Sequence, residues 1–517
     1  MNSAAVQNIL EAMHAAGERL RVVGSALSPN GIGLSDEAML NMGQMDAILS
    51  IDKEKMQVKV QAGARVSTVV EELRKHGLTL QNYASIAEQQ IGGFVQVGAH
   101  GTGAAIPPVD EQVVSFQMHT PGMGILKLDP ERCPGLFYLA RVGLGWLGVV
   151  SEVTIQCVPA HKLIQHTFVE TRAGIQKRHE ELLKHQHARY MWIPHTDCVV
   201  VVTCDPFKDG DEVPSISKPS YNIDWQDGGL DVPKVVPERA MRQLLIKKAE
   251  AAGKPVDADA INGMSFAQLR DALIALAPLD KAHVIEINKA EAKFWKASEA
   301  YRVDWSDKIL GFECGGQQWV SEVAFPCGQV GASDGKDLAY MQELLATAEA
   351  TDLAIPAPIE QRWTSRSRST MSPAYSEGEN DLFSWVGIIM YLPTDEKEQR
   401  AAITERFWEY NKLCRDKLWA KYACHQHWAK IELPDADKDL EWVRERLWAR
   451  FPLAKVWETK QKVDPKGVLG NTLIDTLLLP DGALVESHHR LLASFDAAKK
   501  ASAAEKKQGW FKARGWF

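Results

Sequence analysis

The 517-residue sequence predicts an α+β fold with more than one domain. Short apolar runs and alternating apolar and polar stretches, which are typical of β-strands, are interspersed with segments of helical periodicity. The chain is too long for a single hydrophobic core, so two or three domains are expected. In addition, two segments rich in small residues follow apolar runs near the N-terminus, a pattern that lets the backbone approach a ligand closely.

The first predicted unit ends near residue 160 and mixes strands with helices. Residues 1–17 are predicted to form an amphipathic helix, because Val6, Ile9, Leu10 and Met13 fall on one face. Strands are predicted at 21–23, 47–51, 56–62 and 149–158, and helices at 66–73 and 136–142. The strand at 56–62 alternates apolar and polar residues, so one of its faces is expected to be buried.

Residues 165–420 are predicted to form a second α+β unit. Its strands are predicted at 198–203 and 385–391, and its helices around 237–252, 266–276, 288–300, 338–350 and 397–418. Residues 206–235 are rich in Pro, Asp, Gly and Lys and are expected to form an exposed loop. Residues 426–475 are expected to be compact, and the Ala- and Lys-rich segment 481–517 follows as a tail.

Composition disfavours several classes of function. The net charge of −8 argues against a nucleic-acid partner. No apolar run approaches the roughly 18 residues that a membrane span needs. The eight cysteines form no Cys-x-x-Cys pair, and the histidine pairs lack further ligands at suitable spacing, so neither a disulfide framework nor a metal site is expected. Residues 1–17 have the features of neither a signal peptide nor a transit peptide, so no targeting segment is expected in this chain.

Two segments are predicted to hold phosphate groups through their backbone N–H donors. The first consists of Val23, Gly24, Ser25, Ala26, Leu27 and Ser28. The second spans 92–103 and includes Gly92, Gly93, Gly98, His100, Gly101, Thr102 and Gly103. The glycines are expected to supply left-handed backbone and close approach, so that successive N–H groups converge on a polyanion such as a dinucleotide pyrophosphate. Either segment alone would be interpreted as an ordinary tight turn.

Residues 143–148 (GLGWLG) match the spacing of a dinucleotide-binding fingerprint, but their context differs from it. The fingerprint requires a strand before the glycines and a helix after them. Here a helix is predicted before them and a strand after them. We therefore predict a tight turn at this position.

Several longer strings resemble one enzyme family. The strings at 24–34 (GSALSPNGIGL), 88–93 (EQQIGG), 98–103 (GAHGTG) and 148–154 (GVVSEVT) resemble the flavin domain of the vanillyl-alcohol-oxidase type of FAD enzymes. Those at 78–85 (LTLQNYAS), 311–322 (GFECGGQQWVSE), 355–364 (IPAPIEQRWT) and 427–430 (HWAK) are similar to its aldonolactone oxidoreductase branch, and within it to the plant-type L-galactono-1,4-lactone dehydrogenases. The likeness covers residues 20–475 and leaves the tail outside.

The resemblance implies a two-subdomain FAD-binding domain of that type, followed by an α+β cap, or substrate, domain. It implies an FAD-binding domain at 1–163, a cap domain at 164–425, a segment at 426–480 that returns to the flavin and substrate site, and a basic, aromatic-ended tail at 481–517. It also places Ala84 and Val153 beside the FAD. Many relatives carry the flavin covalently on a histidine just before the position of Ser28. That position is Leu27 here, so the FAD is expected to be noncovalent and to be released on denaturation.

Glu360 and Arg362 are the main catalytic candidates. In a strand, residues two apart point to the same face, so the two side chains are expected to lie side by side, with Ile359, Gln361 and Trp363 on the other face. A carboxylate can take a hydroxyl proton, and a guanidinium can stabilise the resulting negative charge. An arbitrary Glu-x-Arg would more often be a surface ion pair. The resemblance instead implies that this pair binds a lactone beside the flavin.

Four further residues carry weaker predictions. Lys430 is expected to be a second cation near substrate or flavin, and a solvated lysine is an equally supported interpretation. His100 is expected to hydrogen-bond on the flavin side, and Thr102 to touch substrate. Cys314 matches a family cysteine associated with redox sensitivity, with inert packing as the alternative.

The resemblance implies oxidation of L-galactono-1,4-lactone at C2, with cytochrome c reoxidising the flavin. Alanine at the position of Ala84 accompanies poor oxygen reactivity in the family, which favours a dehydrogenase. The alternatives are an aldonolactone (L-gulonolactone) or alditol oxidase that uses O2, and a respiratory-complex assembly or scaffold role. The family location is mitochondrial, at the intermembrane space or inner membrane, for a eukaryotic source, and a bacterial protein would be cytoplasmic. The tail is interpreted as disordered, with contact to a membrane surface or a respiratory complex as the alternative.

Overall fold

The computed structural model describes residues 2–215, 237–253, 257–311, 316–434, 436–481 and 483. Within them the protein has the predicted α+β fold. Cys314, most of the predicted loop at 206–235 and nearly all of the tail at 481–517 lie outside the described residues. None of the helices that the structure describes combines the length and apolar character required to cross a bilayer.

The N-terminal segment forms a helix and a small parallel sheet. Helix α1 (Ser3–Ala16) precedes strands β1 (Leu20–Val23) and β2 (Ala38–Asn41), which pair in parallel. The Asn2 side chain accepts a hydrogen bond from the Ala5 N–H (2.9 Å) and thereby caps the helix. Val6 and Leu10 are buried, as the predicted amphipathic pattern requires.

A six-stranded antiparallel sheet forms the centre of the first unit. Its strands are β3 (Ile48–Asp52), β4 (Gln57–Gln61), β5 (Leu78–Leu80), β6 (Val113–Thr120), β7 (Gly124–Leu128) and β8 (Val149–Pro159). Their order is β3-β4-β8-β6-β7, with β5 also paired to β8. Helices α2 (Val66–Lys75), α3 (Ile91–Gln96) and α4 (Pro134–Ala140) accompany them. Strand β4 buries Val58 and Val60 and leaves its polar residues half-buried, as predicted.

The turn at 143–148 follows α4 and precedes β8, so the predicted order of helix, glycines and strand is confirmed. A helix N-terminus therefore does not follow these glycines, and the dinucleotide fingerprint is a coincidence of spacing.

A nine-stranded antiparallel sheet dominates the second unit. Its strands are β9 (Lys162–Glu170), β10 (His187–Trp192), β11 (Val199–Phe207), β12 (Ala300–Trp305), β13 (Gln318–Gln329), β14 (Ala332–Ser333), β15 (Ile359–Ser365), β16 (Asp381–Tyr391) and β17 (His425–Gln426). Their order is β12-β9-β11-β10-β15-β16-β13-β14, and β17 pairs with β13. The strand predictions at 198–203 and 385–391 correspond to β11 and β16.

The helices of the second unit are α5 (Arg172–Leu182), α6 (Arg239–Ala251), α7 (Ala258–Asn262), α8 (Phe266–Leu276), α9 (Lys281–Ala297), α10 (Ser306–Leu310), α11 (Lys336–Glu349) and α12 (Lys397–Cys414). The five helices predicted for the second unit are present, and α5, α7 and α10 were not predicted. The helix predicted from residue 288 begins at Lys281, because the Asp280 side chain caps it by accepting from the His283 N–H (3.1 Å).

The last described segment returns to the first unit through α13 (Asp437–Arg450), α14 (Leu453–Val463) and α15 (Thr472–Leu478). The Asn471 amide donates to the carbonyls of Ile32 (3.0 Å) and Leu34 (2.8 Å). The Asn30 amide in turn donates to the carbonyls of Trp428 and Ile431, both at 2.8 Å. The loop after β1 is therefore held by residues from the end of the chain.

The two large sheets meet over a shared core and a buried polar joint. The six-stranded sheet ends at Pro159 and the nine-stranded sheet begins at Lys162, so the proposed division between residues 163 and 164 falls just inside β9. At the joint, the Asp110 carboxylate accepts from the hydroxyls of Ser367 (2.6 Å) and Ser369 (2.5 Å). The Arg141 guanidinium also donates to Ser369 Oγ (2.7 Å), so buried hydrogen bonds connect the segment that follows β15 to the first unit.

Candidate functional site

The first candidate site is an open cleft of about 110 Å³ beside β1, which we call the glycine cleft. It is lined by the first predicted segment, by the loop after it, by α3 and by the turn at 143–148. From the predicted set it contains Val23, Gly24, Ser25, Ala26, Leu27, Ser28, Gly92 and Gly93. The first predicted segment and the beginning of the second, Gly92 and Gly93, therefore come together at one cleft, whereas residues 98–103 of the second segment do not line it.

The predicted conformation of the glycines is wrong at several positions. Gly92 and Gly93 lie in helix α3 rather than in a loop. Of the predicted glycines, only Gly98 (φ 68°) and Gly103 (φ 143°) have left-handed backbone. Close packing explains Gly92 instead, since a Cβ there would lie 2.9 Å from the Ala62 Cβ. At Gly101 a Cβ would lie 2.0 Å from Asn82 Oδ1, so space rather than φ requires glycine.

Three residues that line the glycine cleft each carry a buried polar atom without a hydrogen-bond partner among the described residues: Arg21 Nη1, Gln89 Oε1 and Gln90 Oε1. The rest of the Arg21 guanidinium donates to the carbonyls of Ile32 and Leu144, both at 2.8 Å. Burial lowers the pKa of Arg21 to about 10, so it remains a cation at neutral pH. One cationic donor and two amide acceptors suit a ligand that combines a diphosphate with hydrogen-bonding rings, and FAD is such a ligand.

Gly92 and Gly93 should respond in opposite ways to alanine. A Cβ at Gly93 meets nothing within 4 Å, and the residue is helical and lines the cleft. Gly93→Ala is therefore expected to stabilise the flavin-free protein by about 0.5–1 kcal/mol, because alanine has the higher helix propensity, while weakening FAD binding. Gly92→Ala is the matched variant and should instead destabilise the fold, because Ala62 must shift. Thermal unfolding with and without added FAD measures both; equal behaviour of the two variants would contradict the assignment.

The second candidate site is a small cavity of about 20 Å³ between the two large sheets, which we call the sheet cavity. The first unit contributes Tyr83, Ser85, Gly101 and Thr102, the nine-stranded sheet contributes Gln165, His187, Arg189, Val202, Cys204 and Arg362, and α10 contributes Ile309 and Leu310. Gly101 and Thr102 therefore line this cavity and not the glycine cleft. Thr102 is fixed there, since its hydroxyl donates to the Ala188 carbonyl and its own carbonyl contacts His187 Nδ1 (2.6 Å).

Glu360 and Arg362 lie side by side on β15, as the strand periodicity predicts. Arg362 Nε lies 3.3 Å from Glu360 Oε2, and the neighbouring Arg189 Nη1 lies 3.5 Å from Glu360 Oε1. On the opposite face, Trp363 is buried in the core and the side-chain oxygen Oε1 of Gln361 accepts from Trp192 Nε1 (3.0 Å). The Glu360 side chain is 22% exposed, so a ligand can reach its carboxylate.

Glu322 on β13 is a site residue that the sequence interpretation missed. Its side chain is 2% exposed, and Arg362 Nη2 donates to its Oε1 at 2.6 Å. Lys430 Nζ donates to its other oxygen, and His100 Nε2 lies 3.3 Å from that same oxygen. Glu322 and Glu360 are both registered against Gly387 of β16, where a Cβ would meet nothing within 4 Å. The two carboxylates therefore flank an open space that Arg362 spans.

The electrostatics of this cluster keep Glu322 ionised and its histidines neutral. Burial alone would raise the pKa of Glu322, but the charges of Lys430 and Arg362 outweigh it and hold that pKa well below the usual range. Burial lowers the pKa of His100, and the charge of Arg362 lowers it further. Burial and the charge of Lys430 likewise hold the pKa of His427 well below its usual range. The cluster thus presents fixed positive charge on Arg362 and Lys430.

His100, Glu322 and His427 also lie close enough to one another to hold a metal ion. Both oxygens of Glu322 already accept from cationic groups, Arg362 on one side and Lys430 on the other. A divalent cation would have to displace the Lys430 ammonium and sit beside two positive charges. The donor set therefore suits an ion-pair network better than a metal centre.

The remaining predicted residues line neither cavity. His100 stacks on Trp385, with ring centroids 3.7 Å apart, and touches Glu322. The Gly103 N–H donates to the Trp363 carbonyl (2.8 Å), which joins the second segment to β15. Gly98 ends the turn after α3 with left-handed backbone. Val153 is buried within β8, and Ala84 is half-buried against the core of the first unit.

Comparison with known protein families matches two parts of the chain. Residues 1–128 match the model described as an FAD binding domain, and residues 260–477 match the one described as D-arabinono-1,4-lactone oxidase. The chain is 48% identical over 484 residues to the mitochondrial L-galactono-1,4-lactone dehydrogenase of Brassica oleracea, covering 91% of this chain and 78% of that protein. It is 26% identical to the L-gulonolactone oxidase of Bos taurus, covering 91% and 92%.

Among solved structures, cholesterol oxidase from Brevibacterium sterolicum has a similar fold. The TM-score is 0.63 at 15% sequence identity, and the match covers 92% of each chain. At this identity the likeness concerns the fold alone. It supports the predicted two-subdomain flavin-binding fold with its α+β cap.

Proposed function

The chain belongs to the family of L-galactono-1,4-lactone dehydrogenases, and from that premise we propose that it oxidises L-galactono-1,4-lactone at C2 to form L-ascorbate. The observation that carries this proposal is the pairing of Glu360 with Arg362 beside the open space above Gly387. Oxidation of a secondary alcohol requires a group that accepts the hydroxyl proton and a cation that stabilises the negative charge that develops on the oxygen. A carboxylate next to a fixed guanidinium can fill these two roles.

In the proposed reaction Glu360 takes the proton of the C2 hydroxyl. Arg362 donates to the same oxygen and stabilises the negative charge that develops on it as the proton leaves. Lys430 adds a second positive charge, held in place by Glu322. The keto-lactone that forms then tautomerises to the ene-diol of ascorbate.

FAD supplies the acceptor for the hydride that leaves C2. We propose that the 23–28 loop, Gly92, Gly93 and the side chains of Arg21 and Gln90 hold it in the glycine cleft. His100, Gly101 and Thr102 belong to the segment that joins this cleft to the sheet cavity, so we place the reactive end of the cofactor near them.

The FAD is expected to be held without a covalent bond. Leu27 lines the glycine cleft, is 41% exposed and has no nucleophilic atom. Acid precipitation of the holoprotein should therefore leave the yellow chromophore in the supernatant. Flavin that remained with the precipitated protein through washing in denaturant would contradict this expectation.

Anaerobic spectroscopy tests the proposed function directly. Adding L-galactono-1,4-lactone to the holoprotein without oxygen should bleach the flavin absorbance, and adding cytochrome c should restore it. Rapid reoxidation by air with formation of hydrogen peroxide would instead identify an oxidase. A protein that purifies without flavin and binds no lactone would favour an assembly or scaffold role in a respiratory complex.

We further propose cytochrome c as the physiological electron acceptor and mitochondria as the location in a eukaryotic source, as the names of the plant relatives suggest for the compartment. Contact of the tail at 481–517 with a membrane surface or respiratory complex remains part of this proposal. Co-sedimentation of the full chain and of a variant ending at Asp481 with anionic vesicles tests it, and equal partitioning of the two would contradict it.

A further inference from the structure

Two arginines lie directly opposite each other on one face of the nine-stranded sheet. Arg189 of β10 is registered against Arg362 of β15, and residues opposed in this way share a face. Like charges in this arrangement repel each other, so the two arginines need a counter-charge between them. Glu360 supplies it, because it lies two residues before Arg362 on the same face and therefore diagonally across from Arg189.

Each carboxylate oxygen of Glu360 faces one of the two guanidiniums. Oε1 lies 3.5 Å from Arg189 Nη1, and Oε2 lies 3.3 Å from Arg362 Nε. The residues directly opposite Glu360 on the adjoining strands are Met191, which is apolar, and Gly387, which has no side chain. Within the described part of the chain, the two arginines are therefore the groups that orient this carboxylate.

Arg362 is shared between two carboxylates. Its Nη2 donates to Glu322 Oε1 at 2.6 Å, on the side away from Glu360. In the proposed function Arg362 also donates to the C2 oxygen of the lactone, so its guanidinium has three partners in that complex. Arg189 is the cation that remains on Glu360 Oε1 and keeps the carboxylate oriented while Arg362 contacts the lactone.

The backbone around Arg189 is anchored to the segment at 98–103. The Thr102 hydroxyl donates to the Ala188 carbonyl, and the Thr102 carbonyl contacts His187 Nδ1 at 2.6 Å. Arg189 and Thr102 also line the same small cavity. The cation that contacts the proposed proton acceptor is therefore fixed relative to the segment near which we place the reactive end of the FAD.

We propose that Arg189 is a positioning residue for the oxidation, which holds Oε1 of Glu360 and thereby directs Oε2 towards the C2 hydroxyl of the lactone. Oε2 is the oxygen beside Arg362, so one hydroxyl can contact both groups, as the proposed function requires. Arg189 acts through Glu360 and does not touch the lactone. This inference rests on the proposed function, because it takes Glu360 as the group that accepts the C2 proton.

Anaerobic stopped-flow reduction of the holoprotein flavin by L-galactono-1,4-lactone tests this role. Arg189→Met should lower the limiting rate of flavin reduction about 10- to 100-fold, because a misplaced proton acceptor reacts slowly. The lactone concentration that gives half of the limiting rate should change less than about threefold, since Arg189 makes no contact with the lactone. Arg189→Lys keeps a cation with shorter reach, so it should lose less of the rate than Arg189→Met.

A double-mutant cycle distinguishes positioning from damage to the fold. In the Glu360→Gln background, which lacks the proton acceptor, Arg189→Met should lower the remaining rate less than about twofold. Damage to the fold would instead lower the rate by the same factor in both backgrounds. If Arg189→Met does not fold and retain FAD, the same cycle with Arg189→Lys decides the question.

Arg178→Met is the matched control variant. Arg178 Nη1 lies 3.3 Å from Glu170 Oε2, so this arginine also pairs with a carboxylate of the nine-stranded sheet. Its replacement should leave both the limiting rate and the half-saturating lactone concentration unchanged.

The results that overturn the inference are distinguishable from failure of the proposed function. An unchanged limiting rate in Arg189→Met, an equal loss in both backgrounds, or a change confined to the half-saturating lactone concentration would show that Arg189 does not position Glu360. If lactone does not reduce the wild-type flavin, or if Glu360→Gln keeps the full rate, the proposed function itself fails and the inference falls with it.

Discussion

Replacing Glu322 with alanine is expected to unfold or severely destabilise the protein, with a loss of about 3–5 kcal/mol. Its carboxylate is buried and accepts from both Arg362 and Lys430, so its removal takes away the carboxylate that Lys430 contacts and one of the two carboxylates that lie beside Arg362. The surviving folded fraction should also lose lactone-dependent flavin reduction, because Arg362 is no longer held. Urea unfolding of the holoprotein and stopped-flow flavin bleaching measure the two effects.

Glu291 on α9 provides a matched control, since it is also 2% exposed. Burial raises the pKa of Glu291, with Arg270 acting in the opposite direction, whereas the pKa of Glu322 is held down. The Trp295 Nε1–H donates to Glu291 Oε1 at 3.2 Å. Glu291→Gln should therefore cost no more than about 1 kcal/mol, roughly one neutral hydrogen bond. Comparable losses in the two variants would show that burial alone, and not the paired cations, makes Glu322 important.

The contribution of Glu322 should depend on pH in a direction fixed by its pKa. Because that pKa is lower in the folded protein than in the unfolded chain, the ionised carboxylate stabilises the fold above about pH 4.3. This stabilisation is lost as the pH falls from there towards the folded-state pKa. The difference in unfolding free energy between wild type and Glu322→Gln should thus be constant near neutral pH and shrink in acid.

Replacing Glu360 with glutamine should have the opposite profile, with a large loss of activity and a small loss of stability. The amide cannot take the C2 hydroxyl proton, so the rate of flavin reduction should fall by about 10²- to 10⁴-fold. The side chain is partly exposed, so its ion pair with Arg362 contributes little to the fold. Anaerobic stopped-flow measurement at saturating lactone, with the bound FAD quantified, gives the result.

Glu170 supplies the control for Glu360. It lies at the end of β9 in the nine-stranded sheet, its side chain is 19% exposed, and its Oε2 lies 3.3 Å from Arg178 Nη1. Glu170→Gln should leave flavin reduction unchanged. Full turnover in Glu360→Gln with FAD still bound would remove Glu360 from the reaction and require another proton acceptor.

The sequence predicted the side-by-side placement of Glu360 and Arg362 because their relation is local. Strand alternation alone places residues two apart on one face, whatever the rest of the fold does. Glu322 was not predicted as a site residue because its relation to Glu360 and Arg362 is not local. It joins the cluster only through the pairing of β13 with β16 and of β16 with β15. A charged residue beside the apolar run Val323-Ala324-Phe325 was the available signal, since such a residue is rarely buried without a partner.

For Gly92 and Gly93 the local interpretation of the sequence predicted the wrong conformation. Local propensity assigns Gly92 and Gly93 to a loop, because glycine is a poor helix former. The close contact of α3 with Ala62 outweighs that preference, and the helix forms. The predicted helices and strands are present in the described chain, but several elements were not predicted, among them β6, β9, β10 and β13. The reason for a given glycine depended on a neighbour thirty residues away.

The Asn30 side chain has a consequence for how the protein is made. Its amide is bonded to carbonyls 398 and 401 residues further along the chain. During synthesis the N-terminal part leaves the ribosome first, and domains generally fold in that order. The loop after β1 therefore lacks these two hydrogen bonds until the HWAK turn at 427–430 has been translated. Nascent chains that stop before this turn should therefore be unable to retain flavin, however well their first sheet has formed.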